Sequence, residues 1–427
     1  MSSWKQVRFS EICDITRGGS PRPIQEYMTN DGVPWIKISD ATASNSRFIE
    51  KTKEFIKTSG ISKSREVFPD DLILSNSATP GIPKFMRIYA CIHDGWLLLR
   101  NFNGAEKEFI YWLLLNERDK LIQQGNGSVF TNLKTDILKN HIVNIPDDIE
   151  EQKRIATILN NIQEKIELNT QINQTLEQIA QTIFKSWFID FDPVHAKANA
   201  LASGQTLEQA TQAAMAVISG KNTQELHRLQ TANPEQYQQL WEIAETFPSG
   251  FDEEGVPRGW EERYLKDVCN IVYGKGLPKN KLTEKGFYVF GANGVIGFYD
   301  SYTYEKPQVL IGCRGTVGQV TLSYPYSFVT NNSLVIEYEN SCVSMYYLEK
   351  YLSNINLKEI SSGSVQPQIT IQNMSKVKIL IPNIEILNFY SEKVKEIYDK
   401  RLHHFYENQS LSKVRDLLLP KLLSGEV

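Results

Sequence analysis

The chain is poor in the groups that usually carry chemistry. Its 427 residues include only five cysteines and six histidines. Cys13, Cys91, Cys269, Cys313 and Cys342 make no CxxC pair, and their number is odd. A disulfide-stapled secreted scaffold is excluded on those grounds, and free thiols in a reducing cytoplasm are expected. No Cys/His cluster has ligand spacing, so no structural zinc site is expected. The apolar run that contains Ile110 to Leu115 is far too short to cross a bilayer. The opening MSSWKQVRF has no apolar stretch of the kind a signal peptide needs. Catalytic signatures are missing as well: there is no GxSxG and no HExxH, and Gly274–Gly276 lies outside any phosphate-loop pattern. The single Asn-Pro, Asn233-Pro234, lacks the Pro-aromatic continuation of an amino-methyltransferase pocket.

Excess positive charge is also missing overall, with 46 basic against 50 acidic residues. The deficit is local, however. Residues 1–148 carry a net +1, residues 149–256 a net −8, residues 257–382 a net +3 and residues 383–427 a net 0. The acidity sits in the middle of the chain, so the overall balance does not argue against an anionic partner for the two flanking regions.

What is present is a repeat. GNGSVFTNLKTDILKNHIVNIP, from position 125, and SSGSVQPQITIQNMSKVKILIP, from position 361, have equal length and share Gly-Ser-Val and a closing Ile-Pro. Gly127, Ser128, Val129, Ile145 and Pro146 match Gly363, Ser364, Val365, Ile381 and Pro382. The match continues beyond them, where Asn173-Gln174-Thr175-Leu176 meets Asn408-Gln409-Ser410-Leu411, and Ile179 and Ile183 meet Val414 and Leu418. Upstream, Trp4, Phe9, Ile12, Cys13 and Ile15 match Trp260, Leu265, Val268, Cys269 and Ile271. The chain therefore reads as domain, helix, domain, helix.

Both helices carry an apolar seam with steps of three and four, the spacing of a coiled-coil stripe. The first runs through Leu159, Ile162, Ile166, Leu176 and Ile183, with Asn169 and Asn173 at seam positions between them. The second runs through Leu387, Val394, Ile397, Leu411, Val414 and Leu418. Such a stripe is longer than a domain of this size can cover, so each helix is expected to pair with the other. Connectivity makes that pair antiparallel and sets the two domains at opposite ends about a pseudo-twofold axis.

The expected organisation is a first domain over 1–146, a spacer helix over 147–191, an acidic, Ala- and Gln-rich helical insert over 192–256, a second domain over 257–382 and a second spacer helix over 383–427. The fold class is α+β, with two pseudo-repeated mixed domains separated by two long helices. FYVFGANGVIGFYD and VLIGCRGTVGQVTL in the second domain read as short strands about Gly-rich turns. Carboxylate pairs such as Asp70-Asp71 and Glu253-Glu254 read as solvated surface, and His403-His404 as an exposed or partner-facing pair. Similar scaffolds with different loops suggest two ligands read by one architecture.

Basic and amide side chains in those loops are the candidate site. Arg17 and Arg22 lie in TRGGSPRP, followed by Lys63 and Arg65; the second domain offers Lys275, Lys279 and Lys281 in GKGLPKNK, and Arg314 in GCRGT. Phosphates take such cations, while base edges take Arg, Lys, Asn and Gln. Asn293, Asn331, Gln366 and Gln368 are candidate base readers, and the contrast of Phe130-Thr131-Asn132 with Gln366-Pro367-Gln368 marks where two different bases are expected to be read.

Several stretches resemble the specificity subunits of type I restriction–modification systems. IPDDIEEQKRIATILNNIQEKIELN and FKSWFIDFDPVHAKA look like the family's central region, GANGVIGFYD with VLIGCRGTVG like one type of target-recognition domain, and LLLPKLLSGEV like its C-terminal end. The resemblance implies a cytoplasmic, non-catalytic subunit whose two domains each bind half of a bipartite double-stranded DNA target. The helix pair would set the gap, one added turn of about 5.4 Å lengthening it by one to two base pairs. It further implies two methylation subunits carrying S-adenosylmethionine, and restriction subunits carrying ATP and Mg, with no cofactor on this chain and no membrane partner. The competing classes are an autonomous DNA-binding regulator, which would bind no enzyme subunits, and a self-contained methyltransferase or nuclease.

Overall fold

The structure, a computed structural model, describes residues 3–43, 46–124, 132–363 and 366–426. Gly127 to Thr131 of the first repeated passage, and Ser364 and Val365 of the second, lie outside the described residues. Two compact units are present: residues 1–173 with 402–427, and residues 174–401. Each holds one domain of the repeat together with a stretch of both long helices, Ile149–Phe188 and Ile384–Ser424.

In the first unit, strand Trp4–Arg8 pairs antiparallel with Ile142–Pro146, so the domain's first and last strands close on each other. One five-stranded sheet has the order Asp14–Arg17, Trp96–Arg100, Leu72–Ser75, Pro83–Met86, Phe48–Ile49. A second has the order Met28–Thr29, Phe55–Ile56, Val33–Ile36, Ala90–Ile92, Arg65–Val67. Leu72 and Leu74 point to one core and Ile73 to another, as period-two alternation requires of a strand covered on both faces. The C-terminal end of the chain packs here: Leu422 and Leu423 are buried in the same core as Phe9, Phe109 and Leu159.

The second unit repeats the plan. Strand Glu261–Tyr264 pairs with Lys378–Ile381 as its counterpart does. Asn270–Tyr273 pairs with Ser333–Glu337 where the first domain pairs Asp14–Arg17 with Trp96–Arg100. A helix follows that strand in each copy, Lys107–Asn116 and Met345–Ser353. The hairpin Phe287–Gly291/Gly294–Tyr299 turns on Ala292-Asn293, and Gly294 takes a φ of 98°, a left-handed value that favours glycine. The first long helix enters this domain through FKSWF: Phe184, Trp187 and Phe188 are buried against Trp260, Tyr347 and Tyr390. Phe188 meets Tyr347 and Tyr390 edge-on with centroids at 5.0 and 5.1 Å, the geometry that aromatic quadrupoles prefer.

The 192–256 stretch folds as four helices, Asp192–Ala202, Leu207–Ser219, Thr223–Ala232 and Pro234–Thr246. Buried Lys197 ties the first to the last, donating to the carbonyls of Ala244, Glu245 and Phe247 at 3.3, 3.1 and 2.6 Å. A cation at a helix C-terminus satisfies carbonyls that have no partner within the helix.

The long helices run antiparallel in both units. In the first, Gln163 meets Arg415, Asn169 meets Asn408 and Asn173 meets His404, so one number rises as the other falls. In the second, Glu177 meets Arg401 and Trp187 meets Tyr390. Leu159, Ile166, Leu387 and Val394 are buried; Ile162, Leu176, Ile183, Ile397, Leu411 and Leu418 are half-buried.

Three expectations need correction. Val414 is not on the seam but 46% exposed. The seam instead passes through His404, Asn408, Leu411, Arg415, Leu418 and Leu422, which keeps alternating steps of four and three; a polar residue at 415 hides that register from a hydropathy reading. His404 is buried against Asn173, while its neighbour His403 is exposed. Asp71 is not solvated surface, because it accepts from Arg100 Nε at 2.8 Å and from the Phe68 N–H at 2.7 Å.

Candidate nucleic-acid interface

In the first domain, Arg17 ends strand Asp14–Arg17 and hands over to Gly18-Gly19. A Cβ at Gly18 would lie 2.1 Å from the His93 carbonyl oxygen, and one at Gly19 would lie 3.0 Å from that of Lys63. Glycine is therefore what lets this loop press against two others. The hydroxyl of Ser64 fastens the contact, donating to Gly19 O at 2.9 Å and Ile92 O at 3.1 Å. Arg65 Nε donates to Arg17 O at 3.4 Å, and Lys63 Nζ reaches the hydroxyl of Tyr27 and sits 4.8 Å from its ring centroid. Arg17, Arg22, Lys63 and Arg65 are thus gathered by one set of loops, and all four are exposed.

Two of these cations share a residue that sequence reasoning missed. Asp94 Oδ2 lies 3.7 Å from a guanidinium nitrogen of Arg17 and 3.7 Å from one of Arg22. Its backbone oxygen accepts from Arg17 Nε at 2.8 Å, and its Oδ1 accepts from Ser20 Oγ at 2.6 Å. The Ser20 hydroxyl, more than any other neighbour, holds the Asp94 carboxyl below the usual carboxylate range. Beside it, His93 Nδ1 accepts from the Gly95 N–H at 2.8 Å, which assigns the proton of the neutral ring to Nε2. Burial pushes the His93 ring toward its neutral form. Ser20, Trp35, Lys37, Ser77, His93 and Asp94 line an open cleft of about 640 Å³. His-Asp-Gly at 93–95 has no motif in the sequence that announces this role.

In the second domain, Lys275 sits on a loop that donates from its N–H to Val329 O at 2.9 Å, and its carbonyl accepts from the Asn331 N–H at 3.1 Å. A Cβ at Gly274 would lie 2.3 Å from Thr330 O. The Gly-Cys-Arg-Gly turn joins the same set, with Cys313 N–H and Arg314 N–H both directed at Asn332 O at 2.9 and 3.3 Å. A Cβ at Gly312 would meet Ala292 O at 2.6 Å, which places the Ala292-Asn293 hairpin turn beside it. Gln368 exchanges backbone hydrogen bonds with Ser362, and the next residue, Ile369, donates to Cys313 O at 3.2 Å. Lys275, Asn293, Arg314, Asn331 and Gln368 are thus brought together. Gln366 is exposed in the turn just before Gln368. Lys279 and Lys281 lie on the turn Lys279–Lys281, whose next residue, Leu282, packs beside Gly297 of the hairpin. Arg314 rests over the Tyr273 ring at 6.0 Å, and no carboxylate pairs with it among the described residues.

The buried thiols are held in their neutral form, Cys313 among them. Burial pushes Cys13 up to about 12 and Cys91 and Cys269 up to about 11, far from the depressed values of nucleophilic thiols. Among the described residues, no three His, Cys, Asp or Glu side chains are grouped to hold a metal, and no helix is long and apolar enough to cross a membrane. The arrangement offers hydrogen-bond donors and cations on two domains, which suits binding an anionic polymer.

Comparison with known proteins follows the same division. The family model described as the type I restriction modification DNA specificity domain matches residues 1–178 and again 257–414. The type I restriction enzyme HindI specificity subunit of Haemophilus influenzae is 34% identical over 468 aligned positions, covering 100% of both chains. The MjaIX specificity subunit of Methanocaldococcus jannaschii is 24% identical, covering 99% of this chain and 93% of its own. Among solved structures, the S subunit of a type I restriction–modification system from M. genitalium shares the fold, with a TM-score of 0.57 at 16% identity over 99% of this chain and 96% of that one.

Proposed function

The chain belongs to the type I restriction–modification DNA specificity family, and from that premise we propose that it is the DNA-reading, non-catalytic subunit of such a complex. Each domain binds one half of a bipartite double-stranded target, the helix pair sets the unread gap, and partner subunits methylate and cleave. The observation that carries this reading is the duplication of the domain with a separate cluster of exposed cations and amides on each copy. Arg17, Arg22, Lys63 and Arg65 serve one half-site; Lys275, Asn293, Arg314, Asn331 and Gln368 serve the other. Lys279 and Lys281 take flanking phosphates, and Gln366 lies at the cluster's edge. S-adenosylmethionine belongs to the methylation subunits, ATP and Mg to the restriction subunits, and the assembly works in the cytoplasm.

Two methylation subunits fit the repeat. Ile179 and Val414 are equivalent in it, and both are large apolar side chains left 44% and 46% exposed on the long helices. An apolar position exposed twice in equivalent settings suits the same partner bound twice.

The test is methylome sequencing of a host that expresses this chain with its methylation subunits. A bipartite, asymmetric methylated site is expected. Replacing residues 1–145 with another recognition domain should change one half of it and leave the other. A change in both halves would overturn independent reading, and methylation by the chain alone would overturn the non-catalytic assignment.

A further inference from the structure

Asp94 is an anomaly on this surface. A fixed negative charge opposes the approach of phosphates, yet Asp94 lies beside two of the first domain's exposed cations, Arg17 and Arg22. Stability does not account for it. Its ion pairs to Arg17 and Arg22 are long, at 3.7 Å, and those side chains are 59% and 82% exposed. Pairs of that kind add little to folding. The carboxylate is nonetheless built in: Ser20 Oγ donates to it at 2.6 Å, the Asp94 N–H returns to Ser20 Oγ at 3.3 Å, and Asn76 Nδ2 donates to the Asp94 backbone oxygen at 3.2 Å. That same oxygen takes Arg17 Nε at 2.8 Å. Arg17 is therefore held along the Nε–Nη2 side of its guanidinium by Asp94, while its outer Nη1/Nη2 edge meets no other partner among the described residues. Two parallel donors on a planar edge match the O6 and N7 acceptors of guanine in the major groove.

We propose that Asp94 is a positioning residue that presents the Arg17 guanidinium to the O6/N7 edge of a guanine in the half-site read by the first domain. The inference rests on the reading of this chain as a DNA specificity subunit. It is confined to one half-site, because Arg314 of the second domain is steadied by the Tyr273 ring and, among the described residues, by no carboxylate. Holding a long side chain in its bound geometry lowers the ordering that binding must otherwise supply. The carboxylate thus exchanges some general affinity for discrimination.

The two effects have opposite signs, and the test uses that. Full-length chain in complex with its methylation subunits is assayed for binding and methylation on a target library varied at every half-site position, and on unrelated DNA. Asp94→Asn should lower discrimination at one G·C pair by about fivefold or more, a fraction of what a bidentate contact supplies. Binding to unrelated DNA should be unchanged or tighter, and the other half-site untouched. Arg17→Lys should weaken the same base pair, and the double variant should lose little beyond the larger single effect. Ser20→Ala, which frees the carboxylate without removing it, should act there too and more weakly. Loss at a base pair other than that of Arg17 would overturn the proposal, since Asp94 would then read a base itself. A parallel drop on target and unrelated DNA, or unchanged discrimination, would also overturn it. Failure of the underlying reading shows elsewhere, as a wild-type complex with no bipartite preference.

Discussion

The side-chain amide of Asn169 donates to Asn408 Oδ1 at 2.9 Å, and the repeat maps this bond onto the one between His404 and Asn173, also 2.9 Å. An offset of 235 residues takes Asn169 to His404 and Asn173 to Asn408. The two hydrogen bonds are therefore copies of each other, made where the helices pack. Asn408 also donates to Ile166 O at 3.2 Å, and Glu407 takes a second bond from Asn169 at 2.6 Å. Polar pairs at a buried seam fix register, because sliding one helix past the other buries them without partners.

Asn408→Ala should destabilise the protein by about 1–2 kcal/mol, the cost of leaving Asn169 short of a partner at a buried site. Asn169 Oδ1 already lacks one, so the site has no slack. The repeat requires Asn173→Ala to cost a similar amount at His404. Urea unfolding of both variants measures this, and a large cost at one site with none at the other would break the equivalence.

Arg47 is a buried polar link between the first domain and the first long helix, beside those that Gln152 and Asn160 make. Its side chain is 2% exposed and pairs with Glu108 at 3.1 Å and Glu164 at 3.0 Å, and it reaches Asn160 as well. Its N–H donates to Glu167 at 2.9 Å. Removing a buried cation strands its anions, but Glu164 is 60% exposed and solvent screens it. Arg47→Ala should therefore cost about 2 kcal/mol, below the full value of a buried pair. A change in unfolding free energy under about 0.5 kcal/mol, the range of ordinary surface substitutions, would remove Arg47 from this role.

The carboxyl of Glu117 gives a pH dependence of known sign. Burial pushes it up, but the bonds from His141 at 3.0 Å and Lys120 at 2.8 Å outweigh burial and leave it below the ordinary glutamate range. Its contribution is present above the unfolded value near about pH 4.3 and is lost as pH falls through the lower folded value. Glu117→Gln should cost about 1–3 kcal/mol at pH 7, and the gap to wild type should close in acid below about pH 4. Unfolding measured across pH 3–8 decides it; a gap that persists at the acid end would mean the ionised form is not what stabilises.

The repeat and the mixed α+β class were legible because they rest on matched apolar positions. Ile145 and Ile381 keep their place in equivalent strands, and Trp4 opens one first strand while Trp260 immediately precedes the other, whatever the loops between them do. The helix seam was legible where it is apolar and lost where Arg415 occupies it, since hydropathy scores a side chain by type and not by where its stem packs. The Gly-rich loops that carry the candidate cations were legible as places of close backbone approach, as Gly18, Gly274 and Gly312 show. Which of them converge was not legible: Lys275, Arg314 and Asn331 meet through backbone contacts made only in the fold. Asp94 was invisible, because its partners Arg17, Ser20 and Arg22 are more than seventy positions away and meet it only in the fold.

The proposal of two methylation subunits is tested at Ile179 and Val414. Both are exposed, so replacing them touches no core, and Ile179→Glu or Val414→Glu should leave the unfolding free energy within about 0.5 kcal/mol of wild type. At an interface the same change buries an unpaired carboxylate, which costs several kcal/mol of binding. Native mass spectrometry of the co-expressed complex should then show one methylation subunit lost from either single variant and both lost from the double. The repeat makes the demand strict. If one variant releases both subunits, or neither does, the two positions do not serve as equivalent contacts, and their shared exposure has another cause.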